Sequence, residues 1–394
     1  MRRFTISAEK IENCIITPTY EGHFPFVKKY LETYVHFVKD AKFVPVFFII
    51  SKTEEAEFKE IIFPYEKKAN LQILFFENIL AEYGITNSSE DLLKSYGRYS
   101  FQTLKKMYAI KYINAKHFLI LDSESYFIKP TNLTAIFSEF FQSPFVVYSS
   151  FHDRIPSAFM TKMQLSTEYV LKTKIDFWTI ESNMWFIDKK IFTDLTQTCG
   201  EPVEWCSICK KHYPENANLE EEGLMEALLY QNWLCLNAEK YAYTKIDICK
   251  ELCAYLSAEE FSIYLQNINS VFKSGVGVLE GILVGTYDSI LEKVVEVLNN
   301  LNLSILRCDF SDFWNYKRQK YIVKHTKVHI LACSQNNIFY FKPFSNFSFY
   351  KRALPFGLGY LTLFKEYSIL SLKPIIVLGS RFFFSMRWNN LSAF

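Results

Sequence analysis

The sequence predicts an α/β protein: a mixed, mainly parallel sheet flanked by helices, with a C-terminal α+β extension. Three observations predict it. Short apolar runs of strand length alternate with longer segments of helical periodicity over residues 1–246. The run Phe118-Leu119-Ile120-Leu121 ends abruptly in two acids, Asp122 and Glu124, as a buried strand does at the rim of an α/β sheet. Beyond residue 247 the character changes, and past Asn337 aromatics punctuated by Lys and Arg dominate. The expected division is an α/β domain over 1–246 and an extension over 247–394.

Each element follows from its local pattern. Residues 14–20 read as a first strand ending in a Pro turn, and 24–38 as a helix. Val44 to Ser51 is a continuous apolar run, hence a second strand; 54–63 reads as helix. Residues 71–76 form a third strand, followed by a polar loop over 84–90 and a helix over 99–113. The strand carrying Asp122 comes next, then a helix after Pro130 and a strand over 144–148. Residues 183–188 read as a strand leading into a helix from Lys189. Leu224, Leu228, Tyr230 and Leu234 recur at helical spacing and mark a helix over 220–236. In the extension, strands over 279–284 and 328–332 and a helix over 289–301 are expected.

Bulk properties exclude several classes. The chain has 394 residues, 49% hydrophobic and 22% charged, enough for a packed core and unlike a disordered segment. A net charge of +2 argues against a dedicated nucleic-acid binder, so no nucleic acid is expected as partner. The nine cysteines are odd in number and fit reduced thiols better than a disulfide framework. Residues 1–10 are basic without the apolar centre of a signal peptide. No window reaches the roughly 18 apolar residues of a spanning helix. The expected location is cytoplasmic, with peripheral contact at the inner face of the membrane as the alternative.

Asp122 and Glu124 are spaced i, i+2 at the strand end. Oxygen ligands there suit a hard divalent cation, Mn²⁺ or Mg²⁺, which in turn holds phosphate oxygens. Lys105 and Lys106 lie on the preceding helix. Lys105 is a compact donor suited to phosphate, with Gln102 on the same face one turn earlier and Arg98 nearby; Lys106 reads as a solvated helix face. Glu226 is a carboxylate that a helix could hold rigidly, and Glu222 would sit one turn before it. The acids 220–222 read as dipole-compensating decoration of the helix start. Asp188 and Glu181 are lesser acidic candidates. Cys206 and Cys209, with Cys199 and His212 nearby, have the composition of a zinc site but lack a second pair, so they read as structural thiols. Gly275, Gly277 and Gly281 miss the dinucleotide-binding spacing and read as a turn. The cations of the tail read as surface lysines and arginines on a subdomain core; the alternative is a membrane interface.

Four segments resemble the GT-A-type glycosyltransferases, and within them a poorly characterised bacterial group: residues 16–20, 97–105, 121–124 and 226–234, in that order. The chain departs from the usual D-x-D pattern in having Glu124. The resemblance implies a GT-A-like, Rossmann-like catalytic domain that binds a nucleotide-sugar donor. It implies Asp122 and Glu124 as metal ligands, and Thr17, Pro18, Thr19, Tyr20, Arg98, Gln102, Lys105 and Ser123 as donor-binding residues. Tyr20 could stack on a base. Glu226, or secondarily Asp188, would take the acceptor proton in an inverting transfer. The implied acceptor is a glycan or lipid-linked glycan in bacterial surface-polysaccharide synthesis. Two rivals are a nucleotidyltransferase and a non-catalytic glycan- or lipid-binding protein on the same fold.

Overall fold

The computed structural model describes residues 10–150, 158–179, 185–213, 223–260, 262, 291–307, 321, 324–332, 347–353, 360–366 and 384–387. These fall into two units, the first holding the described residues through Ala332 and the second the three last strands.

The first unit is α/β, as the alternation of elements predicts. Strands β1 (Ile11–Pro18), β2 (Val46–Ile50), β3 (Leu71–Phe75), β4 (Ala115–Ile120) and β8 (Phe186–Asp188) form one sheet in the order β3-β2-β1-β4-β8. All pairings are parallel except β4 with β8. β2, Val-Phe-Phe-Ile-Ile, is buried along its whole length, as a parallel strand covered on both faces must be. Helices α1 (Phe24–Phe37), α2 (Glu55–Ile62) and α3 (Phe76–Glu82) follow the first three strands, and α4 (Ser89–Tyr112) precedes β4. The chain adds β2 and β3 on one side of β1, then returns to place β4 on the other. That reversal opens a crevice between the carboxyl ends of β1 and β4, where ligands of such sheets bind. Ile16 is the register partner of Ile120, so Pro18 and Asp122 stand on neighbouring sides of it.

Aromatics fill the core. Tyr30 of α1 meets Phe48 of β2 and Phe127 of β5 (Ser125–Phe127) edge-on, with centroids 6.1 and 5.9 Å apart. Beyond β5, α5 (Leu133–Gln142) buries Phe137 and Phe140, and Phe140 stacks on Phe186 of β8 at 4.4 Å. Asp40 starts α5 by accepting from the backbone N–H groups of Leu133 and Thr134 at 2.9 and 2.8 Å.

A second sheet joins β6 (Phe145–Ser150), β7 (Phe177–Trp178) and β9 (Thr244–Asp247). Around it lie α6 (Ala158–Leu171), α7 (Lys189–Cys199), α8 (Pro202–Lys211), α9 (Glu226–Leu236) and α10 (Ile248–Cys253). α9 is buried on nearly every side, including its polar residues Glu226, Gln231 and Asn232. After α11 (Leu291–Asn300), strand β10 (Ile305–Arg307) pairs with β11 (Ile330–Ala332), and β11 pairs with β5. Residues well past 247 are thereby hydrogen-bonded to the strand that follows the acidic turn.

Two boundaries differ from the sequence pattern. The helix expected over 99–113 begins at Ser88–Asp91 with a reciprocal cap and is broken at Gly97, whose φ of 77° and ψ of 173° leave the helix. The helix expected over 220–236 begins only at Glu226: Gly223 has φ of 152° and Met225 is extended. Leu224 is therefore not on the helix, and Glu222 does not lie one helical turn before Glu226. Residues 181–184, 220–222 and 275–284 fall outside the described residues.

The second unit is a three-stranded antiparallel sheet, β12 (Phe347–Ala353), β13 (Tyr360–Glu366) and β14 (Phe384–Arg387), in that order. Lys351, Arg352, Lys365 and Arg387 lie on these strands; Lys342, Lys373 and Arg381 lie outside the described residues. Among the described residues no helix is long and apolar enough to cross a membrane.

Candidate functional site

The turn between β4 and β5 carries Asp122, Ser123 and Glu124, and Ser125 N–H closes it on the Asp122 carbonyl at 3.0 Å. Its position at the β1/β4 crevice follows from the strand order. Three elements reach toward it: the segment after β1, the second half of α4 and the start of α9.

From α4, Lys106 is 3% exposed, which overturns its reading as a solvated residue. Its ammonium lies 2.9 Å from Asp122 Oδ1 and 2.5 Å from Glu226 Oε1, with the Trp185 ring 4.9 Å away. Burial alone would push this ammonium down, but the charges of Asp122 and Glu226 outweigh it and hold it above the ordinary lysine value. The hydroxyl of Thr103, one turn earlier, shares its one proton between the Leu224 carbonyl at 2.6 Å and Glu226 Oε2 at 3.1 Å. Both oxygens of the buried Glu226 side chain are thereby engaged. Asp122 is 38% exposed, the open end of the Glu226–Lys106–Asp122 chain.

The backbone of 223–225 lies directly on α4. Leu224 N–H donates to Ser100 Oγ at 3.2 Å, and a Cβ on Gly223 would stand 2.7 Å from Tyr99 Cβ. Gly223→Ala is expected to cost about 2 kcal/mol through this overlap and its positive φ, read as a lower urea midpoint.

From the segment after β1, His23 Nδ1 lies 3.0 Å from both Glu124 Oε1 and Ser123 Oγ. Ser123 Oγ donates to Glu124 Oε2 at 2.9 Å. Tyr20 is 43% exposed with its ring 4.3 Å from that of His23. Thr17 and Thr19 are buried; among the described residues the Thr19 hydroxyl has no hydrogen-bond partner. Lys105 is buried beside Phe101 and Phe76, 5.2 and 6.0 Å from their centroids, and donates to the Thr19 carbonyl at 3.4 Å. Burial pushes its ammonium down, against the opposing charges of Glu54 and Glu77.

The structure thus joins Asp122 with Glu226, Glu124 with Ser123, and Lys105 with Thr19. Gln102 is half-buried one turn before Lys105, and Arg98 is exposed beside the Gly97 break. Asp188 is not brought in. It pairs in register with His117 near the opposite end of β4, roughly 16 Å along the strand from Asp122 at about 3.3 Å per residue. There it caps α7, accepting from Lys190 and Ile191 N–H at 2.7 and 3.2 Å. Asp188→Ala is expected to cost about 1 kcal/mol in a denaturant melt and to leave turnover unchanged. Cys206 and Cys209 are buried in α8 and donate to different carbonyls, those of Ser100 and Ser166. Burial pushes both thiols up, Cys209 to about 12, so neither offers a ready thiolate.

Thr103, Trp185 and His23 were not singled out from the sequence, and Lys106 was placed on the wrong side of the helix. Thr103 and Lys106 are one turn apart, and that spacing is the signal that could have paired them.

Neither a family model nor a curated protein matches the chain. Solved structures similar to it include mouse xyloside xylosyltransferase 1 in its apo form, at 10% identity over 68% of this chain and 95% of that one, with a TM-score of 0.36. Another is S. aureus TarS 1-349, at 14% identity over 74% and 80%, with a TM-score of 0.31. A third is 4-diphosphocytidyl-2C-methyl-D-erythritolsynthase from Anaerococcus prevotii DSM 20548, at 11% identity over 60% and 87%, also 0.31. Likenesses this distant assign no activity to this chain.

Proposed function

We propose that the chain is a GT-A-like glycosyltransferase that moves a sugar from a nucleotide-sugar donor to a glycan or lipid-linked glycan. The observation that carries the reading is the half-exposed Asp122 at the β1/β4 reversal, backed by buried Lys106 and followed at i+2 by Glu124. A divalent cation fits this donor set in one way. Among the described residues no three His, Cys, Asp or Glu side chains could hold an ion by themselves. Two carboxylates suffice when substrate phosphates supply the other oxygens, the usual arrangement for Mg²⁺. Asp122 and Glu124 would hold Mn²⁺ or Mg²⁺ there; when bound, the ion supplies neutralisation of the charge that grows on a departing diphosphate.

The chain's own groups carry the rest of the scheme. Tyr20 offers an exposed ring for a base, and the buried Thr17 and Thr19 of the β1 end, with Pro18 between them, would support it from below. Lys105, with Gln102, would offer a donor beside that end of β1, and the exposed Arg98 would reach the donor from the Gly97 break. Ser123 and His23 fix the direction of Glu124. Glu226 anchors Lys106; to serve as the base of an inverting transfer, its Oε2 would have to leave Thr103. The setting that accompanies this reading is surface-polysaccharide synthesis in the cytoplasm of a bacterium, with peripheral contact at the inner membrane face, supported by the sequence resemblance.

Thermal-shift measurements with UDP, GDP, CMP and their sugar conjugates, each with and without Mn²⁺, test it. One nucleotide class should raise the melting temperature, and Mn²⁺ should enlarge the shift. Product analysis with that class should find free nucleoside diphosphate from a UDP- or GDP-sugar, or CMP from a CMP-sugar. Release of pyrophosphate from the matching nucleoside triphosphate and a sugar phosphate would point instead to nucleotidyl transfer, and a flat panel would remove the donor-binding reading altogether.

A further inference from the structure

We infer that Lys106 is a positioning residue acting as a resident cation on Asp122, so that the acidic turn resists a bare divalent ion. It rests on the proposed role of Asp122 as a cation ligand, and goes beyond it. The Lys106 ammonium occupies Asp122 Oδ1 at 2.9 Å, on the side of that carboxylate facing the protein. It is fixed there from behind: Glu226 Oε1 holds it at 2.5 Å, Thr103 holds Glu226, and the Trp185 ring lies 4.9 Å from it. A lysine so enclosed cannot swing into water when an ion arrives, and two positive centres on one carboxylate repel each other even at the intermediate effective dielectric of a partly exposed group. Glu124 is restrained as well, since His23 and Ser123 engage its two oxygens. An ion that arrives already neutralised by phosphate oxygens meets much less of this repulsion. The site therefore loads ion and phosphate-bearing substrate together rather than in sequence.

The test is Mn²⁺ affinity without any nucleotide, read by electron paramagnetic resonance of free Mn²⁺. The variants are Lys106→Met/Glu226→Met, Lys106→Arg and Asp122→Asn. The double variant removes one positive and one negative charge, so net charge is constant and no buried carboxylate is left unpaired. Its dissociation constant for Mn²⁺ should fall about tenfold or more relative to the wild type, while Lys106→Arg stays weak. Adding Asp122→Asn to the double variant should abolish the gain. A folded double variant that binds Mn²⁺ no more tightly than the wild type overturns the inference. If Asp122→Asn also leaves Mn²⁺ binding unchanged, the cation-ligand reading of Asp122 fails with it; if Asp122→Asn alone weakens binding, that reading survives and only the inference is lost.

Discussion

Lys106→Met is expected to destabilise the first unit by about 3–5 kcal/mol, the cost of breaking a buried ion pair from one side. The two carboxylates around Lys106 contribute unequally. Asp122 is 38% exposed and can turn to water, so its loss of a partner costs little. Glu226 is 4% exposed, at the start of a helix buried on nearly every face, and its remaining partner is the Thr103 hydroxyl. An ionised carboxylate left there must either protonate or draw in water, and both are unfavourable. For a unit of this size each kcal/mol lowers the melting temperature by about 2–4 °C, so a fall on the order of 10 °C is expected. Adding Glu226→Met should return most of it, because the uncompensated charge goes with the carboxylate. Circular-dichroism melts of both variants decide the matter. A single variant melting like the wild type would mean that Lys106 and Glu226 are not paired in a dry interior.

The parts legible in the sequence are those set by local pattern. The apolar run at Val46–Ile50 could be placed because a fully buried parallel strand needs continuous apolar residues, and Leu71–Phe75, a half-buried edge strand, because its short apolar run has strand length. Asp122 could be placed because a strand that stops at an acid marks the sheet rim. Pairing was less legible. Nothing in Phe186–Asp188 says that it runs against β4, and that direction alone moves Asp188 from the crevice to the far end. Lys105 and Lys106 are chemically identical neighbours about 100° apart on the helix; which partner each meets depends on the segment after β1 and on α9, both distant in sequence. The start of α9 was misread because Leu224 keeps helical spacing while Gly223 adopts a backbone conformation that spacing does not report.

Asp122→Asn is expected to lower donor turnover by about two to three orders of magnitude while leaving the ligand-free melt within about 1 kcal/mol of the wild type. The two effects separate for a structural reason. Lys106 keeps Glu226 as a buried partner, so losing the Asp122 charge unpairs nothing in the interior. Asparagine keeps the size of the side chain and the turn that Ser125 N–H closes through the Asp122 backbone carbonyl. What is lost is one of the two carboxylates offered to a cation, and the charge that would draw an ion to the leaving diphosphate. Asp188→Ala supplies the contrast: an acid of similar sequence promise, capping a helix at the other end of the sheet, whose loss should lower stability and not turnover. If Asp122→Asn turned over donor like the wild type at saturating Mn²⁺, or lost activity only in step with unfolding, the chemistry would not run through this turn. The exposed carboxylate would then be no more than a solvated end to a buried ion pair.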